Sequence, residues 1–386
     1  MKVAVPKELQ EGERRVALAP ESCKKLIAKG ISVVVESGAG ANSFFSDQSY
    51  QAVGATVEPA RRALFQASDF LLTVQPPTPE DVASLRENTL LLGSLLPIKH
   101  LDTIQALAKR RITAFSTDCI PRTTRAQSMD TLSAMANIAG YKAVLMAANE
   151  SAKYFPMFMT AAGTIHAAKV FVIGAGVAGL QAIATAKRLG ATVSATDTRR
   201  VVAEQIQSVG GKFIGVESEE DAQTATGYAK ELSADFYAKQ AKLIGDQCAL
   251  NDVVITTALI GGVKAPKLIS ADMVRRMQPG SVIVDLAAEA GGNCELTRPG
   301  QTVIENGVKI VGPLNVPSQM PRDASTLYSR NLAAFLLAFS KDGAFALDLN
   351  DEIQKGAVVT HDGKVTHEPA AKALAARSRT GIRELR

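Results

Sequence analysis

Short apolar runs alternate with amphipathic stretches through the first 130 or so residues of the chain. Lys2–Val5, Ser32–Glu36, Phe70–Val74, Leu90–Leu92 and Ile112–Phe115 have the length and composition of buried strands. Between them, Pro20–Lys29, Pro79–Arg86 and His100–Lys109 carry helical spacing. Strand and helix in alternation predict a parallel, doubly wound sheet. Residues 130 to 153 form one long helical stretch rich in alanine and methionine, which we expect to connect two domains. A second alternating series follows: a strand over Lys169–Ile173, a helix, a strand ending at Asp197, then Lys212–Ile214, Asp252–Thr256, Ser281–Asp285 and Lys309–Val311. A helix from about Ala324 to Ser340 is expected to return the chain to the first domain. Residues 357 to 367 read as a hairpin turned at Asp362-Gly363. The expected fold is α/β, with two doubly wound parallel-sheet (Rossmann-like) domains and an interdomain cleft. The expected division is 1–131 with 316–386, and 132–315. The polar stretch from Gly215 to Glu231 is too long for an ordinary strand–helix connection, commonly about 2–6 residues, and composition alone admits either a lid or a plain surface loop.

Bulk numbers narrow this picture little. At 386 residues the chain exceeds one ordinary core, and 46% hydrophobic with 21% charged residues describes a globular protein. A net charge of +5 is slight for the length, and no lysine–arginine block is interleaved with aromatics, so nucleic acid is not indicated. No apolar run approaches the ~20 residues that span a bilayer. The N-terminus enters a strand directly, without a signal-peptide pattern. Cys23, Cys119, Cys248 and Cys294 are scattered, as free thiols in a reducing compartment would be, so the expectation is cytoplasmic. The basic C-terminal stretch, with Arg377, Arg379, Arg383 and Arg386, reads as a solvated tail or as a contact with an anionic partner. No spacing of metal ligands appears.

The sharpest chemistry lies at 169–197. A strand runs into Gly174, Gly176 and Gly179, a helix follows, and a second strand ends at Asp197, 23 residues after Gly174. In such a strand–turn–helix, the first glycine permits the tight turn and the second lets a pyrophosphate approach the backbone. The third lets helix and sheet pack closely, while the helix N-terminus offers unpaired N–H groups to phosphate. An acid at the end of the second strand accepts hydrogen bonds from a ribose diol and repels a 2′-phosphate, so NAD(H) is expected rather than NADP(H). Arg199 and Arg200 weigh in the opposite direction.

A second constellation precedes the long helix. In Pro-Arg-Thr-Thr-Arg-Ala-Gln-Ser-Met-Asp-Thr-Leu-Ser, residues 121–133, Arg122 and Arg125 read as loop residues. Gln127 and Asp130 are placed to share a helical face with Ser133, pointing to the cleft. The same residues also read as a capping cluster at a helix start.

On these and further motifs the chain resembles the NAD(H)-binding component, domain I, of proton-translocating nicotinamide nucleotide transhydrogenases. The resemblance rests on Val-Pro-Lys-Glu at 5–8, Arg-Ala-Gln-Ser-Met-Asp at 125–130 and Ala-Asn-Ile-Ala-Gly-Tyr at 136–141. It continues through Gly-Ala-Gly-Val-Ala-Gly-Leu at 174–180, Gly-Tyr-Ala-Lys at 227–230, Thr-Thr-Ala-Leu-Ile at 256–260 and Ala-Gly-Gly-Asn-Cys at 290–294. It implies that Arg122, Gln127, Asp130 and Ser133 surround the nicotinamide and its ribose, with Thr123, Thr124 and Arg125 beside them. Val177 would pack at the fingerprint turn, and Asp197, Thr198 and Arg199 would hold the adenosine end. Gly227 and Tyr228 would lie on a mobile loop, and Leu259 would line the cofactor site. It further implies a homodimer, a partner component carrying NADP(H), and a membrane-spanning subunit through which the chain sits peripherally on the cytoplasmic face. The glycines of Val284–Cys294 suit an exchanged hairpin or close contact in such a dimer. Two departures affect loop detail: Gly261-Gly262-Val263-Lys264 replaces the Pro-Gly-Lys of several relatives, and Pro-Arg-Thr-Thr-Arg replaces Pro-Arg-Ile-Ser-Arg.

The competing resemblance is to alanine dehydrogenase, which has a similar opening and an arginine where this chain has Arg15. Oxidising an amino acid moves a proton as well as a hydride and so requires a positioned acid–base group. In that family a lysine and a histidine serve, and the matching positions here are Gln75 and Leu96, neither of which exchanges a proton. Direct hydride exchange between two nicotinamides needs proximity, orientation and exclusion of water instead. A non-catalytic NAD-binding module is a third reading that the sequence leaves open.

Overall fold

The computed structural model describes residues 1–216, 233–259 and 264–383, and these divide by contacts into two compact units. One comprises Met1–Met135 with Ser318–Arg386, the other Ala136–Pro317.

The first unit opens with β1 (Lys2–Val5), α1 (Pro20–Ile27), β2 (Ser32–Glu36), α2 (Asp47–Gln51) and β3 (Thr56–Glu58). It continues with α3 (Arg61–Ala67), β4 (Phe70–Leu72), α4 (Pro79–Ser84), β5 (Leu90–Gly93), α5 (Leu101–Lys109) and β6 (Thr113–Ser116). Local chemistry sets several boundaries. Pro20 begins α1, where a missing N–H costs nothing, and Thr78 begins α4 in a capping box, its Oγ1 accepting from Asp81 N at 3.1 Å. The helix α6 (Thr131–Glu150) carries the chain across the division.

The second unit contains the hairpin β7 (Phe158–Thr160) and β8 (Gly163–Ile165), then β9 (Lys169–Ile173), α7 (Val177–Arg188), β10 (Thr192–Thr196), α8 (Ala203–Ser208) and β11 (Lys212–Phe213). After these come α9 (Ala234–Leu250), β12 (Val253–Thr256), α10 (Ala271–Arg275), β13 (Val282–Asp285), β14 (Thr302–Glu305) and β15 (Val308–Val311). The chain ends in the first unit with α11 (Pro321–Ala338), β16 (Ser340–Lys341), β17 (Ala344–Phe345), α12 (Glu352–Ala357), β18 (Val358–His361), β19 (Lys364–Val365) and α13 (Glu368–Arg383).

Each unit is built on one main sheet. The eight-stranded sheet of the first runs β19-β18-β6-β5-β4-β1-β2-β3, parallel from β6 to β3 and antiparallel at β18 and β19. The seven-stranded sheet of the second runs β11-β10-β9-β12-β13-β15-β14, antiparallel only at β14. Side chains alternate across both sheets, as strand geometry requires. Val3, Val5, Phe70 and Leu72 pack under α1 and α11, while Ala4 and Leu71 face α3 to α5. Val170, Val172, Val253 and Ile255 meet Ala143, Val144 and Ala147 of α6 and Ala182 and Ile183 of α7, while Phe171, Ile173 and Val254 face Ile244 and Val274 on α9 and α10. Both faces of both sheets are covered, which is why the strands read as continuous apolar runs.

The α/β class and the doubly wound parallel sheets expected from the pattern are what the structure contains. The hairpin at 358–365 forms, with Asp362 and Gly363 both at positive φ (44° and 77°). Several short elements escaped the pattern. β3 is a three-residue edge strand, and α3 lacks any side-chain cap at Ala60. The β14–β15 hairpin is marked in the sequence by Asn306-Gly307, whose φ values of 49° and 76° suit the tight turn. The expected exchangeable hairpin within Val284–Cys294 is not one. Val282–Asp285 is a central strand, Ala288–Ala290 is a 3-10 turn, and Ala287, Ala288, Asn293 and Cys294 are fully buried in their own unit.

Candidate functional site

In the second unit the chain winds from β9 through β10 to β11 on one side, then returns to place β12, β13 and β15 on the other. Such a switch point opens a crevice at the C-terminal ends of the two strands flanking it, here β9 and β12. The glycine fingerprint lies there. Gly174 has φ +94°, a value that disfavours any side chain. A Cβ on Gly179 would stand 1.9 Å from the Gly174 carbonyl oxygen, so α7 can lie this close to the turn only with glycine at that position. A Cβ on Gly176 would meet nothing within 4 Å of protein. The backbone therefore faces open space where a phosphate would approach, at the start of a twelve-residue helix whose first turn carries no acidic side chain. Val177, 40% exposed, opens that helix.

Asp197 follows β10 directly, its side chain 7% exposed. One carboxylate oxygen accepts the Ala175 N–H of the fingerprint loop at 2.7 Å, and the other accepts the Arg199 N–H at 2.9 Å. The Arg199 guanidinium pairs with both oxygens at 2.9 Å, and this hydrogen bonding raises its already high pKa. Arg199 is thus engaged with the acid rather than presented to a 2′-phosphate. Thr198 lies between them. Thr257, which the sequence marks only as part of the 256–260 motif, ties the exits of β9 and β12 together: its Oγ1 donates to the Gly174 carbonyl at 3.1 Å and its N–H to the Ile173 carbonyl at 2.9 Å. Leu259, two residues further on, is 46% exposed. The motif at 136–141 also acquires a reason, because a Cβ on Gly140 would stand 2.1 Å from the Ala178 carbonyl oxygen, so α6 lies directly on the fingerprint helix. Gly227 and Tyr228 lie outside the described residues, as does the stretch 260–263.

The other constellation is in the first unit. Thr124–Met129 is a 3-10 turn, pinned by buried Ala126 and Met129 and by the Asn331 side chain, whose Nδ2 donates to the Ser128 carbonyl at 2.8 Å. Thr124 and Gln127 are exposed on it, and Arg122, two residues before it, is exposed as well. Arg125 is ion-paired with Asp351, the cap of α12, and its guanidinium lies 6.0 Å from the centre of the Phe339 ring. Thr123 Oγ1 is buried without a hydrogen-bond partner among the described residues. The helix begins only at Thr131, so Gln127 and Asp130 do not share a helical face. Asp130 instead caps α6, accepting from Ser133 N at 2.8 Å and Ser133 Oγ at 2.6 Å. The capping reading holds for Asp130 and Ser133, and it leaves Gln127 free of that duty.

The positions that weigh against a dehydrogenase are also in the first unit. Arg15 and Glu13 are buried and paired, Arg15 Nε reaching Glu13 Oε1 at 2.8 Å and Nη2 reaching Oε2 at 2.7 Å. Gln75 Nε2 donates to the same carboxylate at 2.7 Å. Burial alone would raise the Glu13 pKa, but the Arg15 and Gln75 bonds override it and bring it down to about 2. Glu8, which accepts the Val74 and Gln75 N–H groups at 2.6 and 3.2 Å, is pushed up to about 8, chiefly by burial. Leu96 sits at φ +42°, its N–H bonded to Asp118.

Two doubly wound units, one of them bearing a dinucleotide fingerprint with an acid at the second strand, define an NAD-binding oxidoreductase with a Rossmann-like fold. The chain belongs to the alanine dehydrogenase/PNT family: the N-terminal domain of that family matches residues 4–139 and the C-terminal domain residues 143–368. Within it, the chain is 49% identical over 376 residues to the first of the alpha-subunit polypeptides of the NAD(P) transhydrogenase of Rhodospirillum rubrum, covering 95% of this chain and 98% of that one. The crystal structure of the transhydrogenase from Sinorhizobium meliloti superposes with a TM-score of 0.87 at 45% identity, covering 95% of this chain and all of that one. The alanine dehydrogenase of Bacillus subtilis is more distant, 28% identical over 386 residues, covering 97% of this chain and 95% of that one. The resemblance drawn from the sequence is the one these relatives bear out. Among the described residues, no helix is long and apolar enough to cross a membrane.

Proposed function

We propose that this chain is the NAD(H)-binding component of a proton-translocating NAD(P) transhydrogenase, passing a hydride directly from NADH to NADP⁺ held by a partner component. The fingerprint is shared by both branches of the family and does not distinguish them. The observation that carries the reading is at Gln75. A side chain that could exchange a proton is what an amino-acid dehydrogenase needs there, and this chain has an amide bound to Glu13. Leu96 offers no replacement.

In this reading, Gly174, Gly176 and Val177 hold the pyrophosphate at the start of α7, with Gly179 setting the helix against the sheet. Asp197, with Thr198 and Arg199, receives the adenosine ribose. Arg122, Gln127 and Asp130, flanked by Thr123, Thr124, Arg125 and Ser133, orient the nicotinamide end, and Leu259, Gly227 and Tyr228 enclose the cofactor. The reduced nicotinamide supplies the hydride, and the dihydropyridine so oxidised leaves as NAD⁺ while NADP⁺ becomes NADPH. The residues contribute placement, because the transfer moves no proton at the reacting carbons. Coupling to proton movement belongs to a membrane-spanning subunit, on whose cytoplasmic face this chain would sit.

A homodimer is part of the proposal. Supporting it, the β7–β8 hairpin pairs with no third strand among the described residues, and Met157, Phe158, Met159 and Ile165 are 59, 46, 69 and 46% exposed along it. An isolated apolar hairpin of this kind is marginal in water and suits burial against a second copy.

Stopped-flow hydride transfer from NADH, with an NADP⁺-loaded partner component, tests the reading. Gln127→Asn keeps the amide and shortens its reach by one methylene. A misplacement of ~1 Å can slow transfer on the order of 100-fold, and NADH affinity should change far less. No transfer by the wild-type chain would favour a non-catalytic NAD-binding module, and NAD-dependent turnover of alanine would favour the dehydrogenase.

A further inference from the structure

The Gly291-Gly292-Asn293-Cys294 turn has no part in the reading above. It follows β13 and is held from two directions. Gly291 and Gly292 sit at φ 97° and 81°, and a Cβ on Gly292 would lie 2.7 Å from Asp285 Oδ2. Asp285, fully buried at the end of β13, accepts from Ala287 N and Cys294 N at 3.0 Å each, from Thr256 Oγ1 at 2.9 Å and from Thr297 Oγ1 at 2.6 Å. The turn is therefore bound to the ends of both β12 and β13.

From that anchored turn the Asn293 side chain, also fully buried, reaches the exit of β12. Its Oδ1 accepts from Ala258 N at 3.1 Å, while its Nδ2 donates to the Ala258 carbonyl at 2.8 Å and to the Pro266 carbonyl at 2.9 Å. One carboxamide thus satisfies both peptide groups of Ala258 and also fixes Pro266. Ala258 stands between Thr257, bonded to the Gly174 carbonyl, and the half-exposed Leu259.

We infer that Asn293 is a positioning residue for the nicotinamide half of the dinucleotide, acting by fixing Ala258 and so the direction in which Leu259 leaves β12. This rests on the dinucleotide reading of the site. The asymmetry follows from topology. In a doubly wound sheet each half of the dinucleotide lies over one half of the strands. Asp197 places the adenosine over β10, so the opposite half belongs over β12, where Asn293 acts.

The test compares NADH with AMP, which carries the adenosine half alone, in the full-length chain. Asn293→Asp keeps size and the acceptor for Ala258 N–H but, when ionised, loses both donors and sets a charge against two carbonyls. The NADH dissociation constant should rise roughly tenfold, the scale of losing hydrogen bonds from buried carbonyls, while that for AMP changes less than about twofold. Leu259→Ala removes the side chain being positioned and should reproduce the selective loss. The double variant should bind NADH no more than about twofold worse than the weaker single variant, since both act through one contact. Equal loss of NADH and AMP would reduce Asn293 to a support of the fold, and independent, additive losses would remove Leu259 as its target; either overturns the inference. If Asn293→Asp fails to fold, Leu259→Ala decides alone, and unchanged NADH binding by it overturns the inference. A wild-type chain that binds no NADH would instead overturn the dinucleotide reading itself.

Discussion

Two glycines three residues apart should respond in opposite ways to the same added methyl group. At Gly179 the Cβ would stand 1.9 Å from the Gly174 carbonyl oxygen and 2.8 Å from its carbon, both backbone atoms. Ordinary contact needs 3.4 Å or more, so α7 would have to retreat by about 1.5 Å from the turn. Overpacking of this kind costs typically about 1–3 kcal/mol. A cost of that size corresponds to a fall of roughly 2–12 °C in Tm for a unit of this length, where each kcal/mol is worth about 2–4 °C. At Gly176 the Cβ meets no protein atom within 4 Å, and φ −75°, ψ −168° is open to any residue. Gly176→Ala loses a little at the helix cap and gains about 0.4–1 kcal/mol from a less flexible unfolded chain, so Tm should stay within a few degrees of wild type. Its methyl group would instead fill the space assigned to the pyrophosphate. The same crowding cost, now incurred only in the complex, should weaken NADH by roughly 5- to 150-fold. Circular dichroism melts of the ligand-free variants, with NADH titrations followed by its fluorescence, separate the two effects. Wild-type NADH affinity in Gly176→Ala would refute the placement of the phosphates, and an unaltered melt of Gly179→Ala would refute the packing argument.

Asp197→Ala should remove the preference for NADH over NADPH, measured by parallel titrations; equal affinities in the wild type would show that the acid does not set the preference. Replacing Phe158 and Met159 together by serine should convert a dimer to monomers in light scattering at micromolar concentration without changing NADH binding, and an unchanged mass would exclude the hairpin from the interface. Glu8 supplies a pH signature. Its folded-state pKa of about 8 lies above the ordinary 4.5, so between those values the folded state holds a proton that the unfolded state has lost. Stability should therefore fall as pH rises through that window, and Glu8→Gln should flatten the fall in Tm between pH 4.5 and 8. Parallel curves for the two proteins would mean that Glu8 is ionised throughout.

By itself the sequence determined what depends on near neighbours. The apolar runs located the long strands because both faces of each sheet are covered, and the strand, three glycines and acid of 169–197 form within one continuous segment. Asp362-Gly363 marked its hairpin for the same reason. Edge strand β3, uncapped α3 and the isolated β7–β8 hairpin were not legible, because their short runs carry no periodicity and their stability comes from elsewhere. Tertiary structure alone decided the pairings between residues remote in sequence. It joined Arg125 to Asp351 and Gln75 to Glu13, and it turned Asp130 into a helix cap where sequence spacing suggested a shared face with Gln127. It also brought Asn293 to Ala258, 35 residues earlier in the chain, because β12 and β13 are adjacent in the sheet. A motif can mark such a residue, but its hydrogen bonds exist only once the strands are side by side.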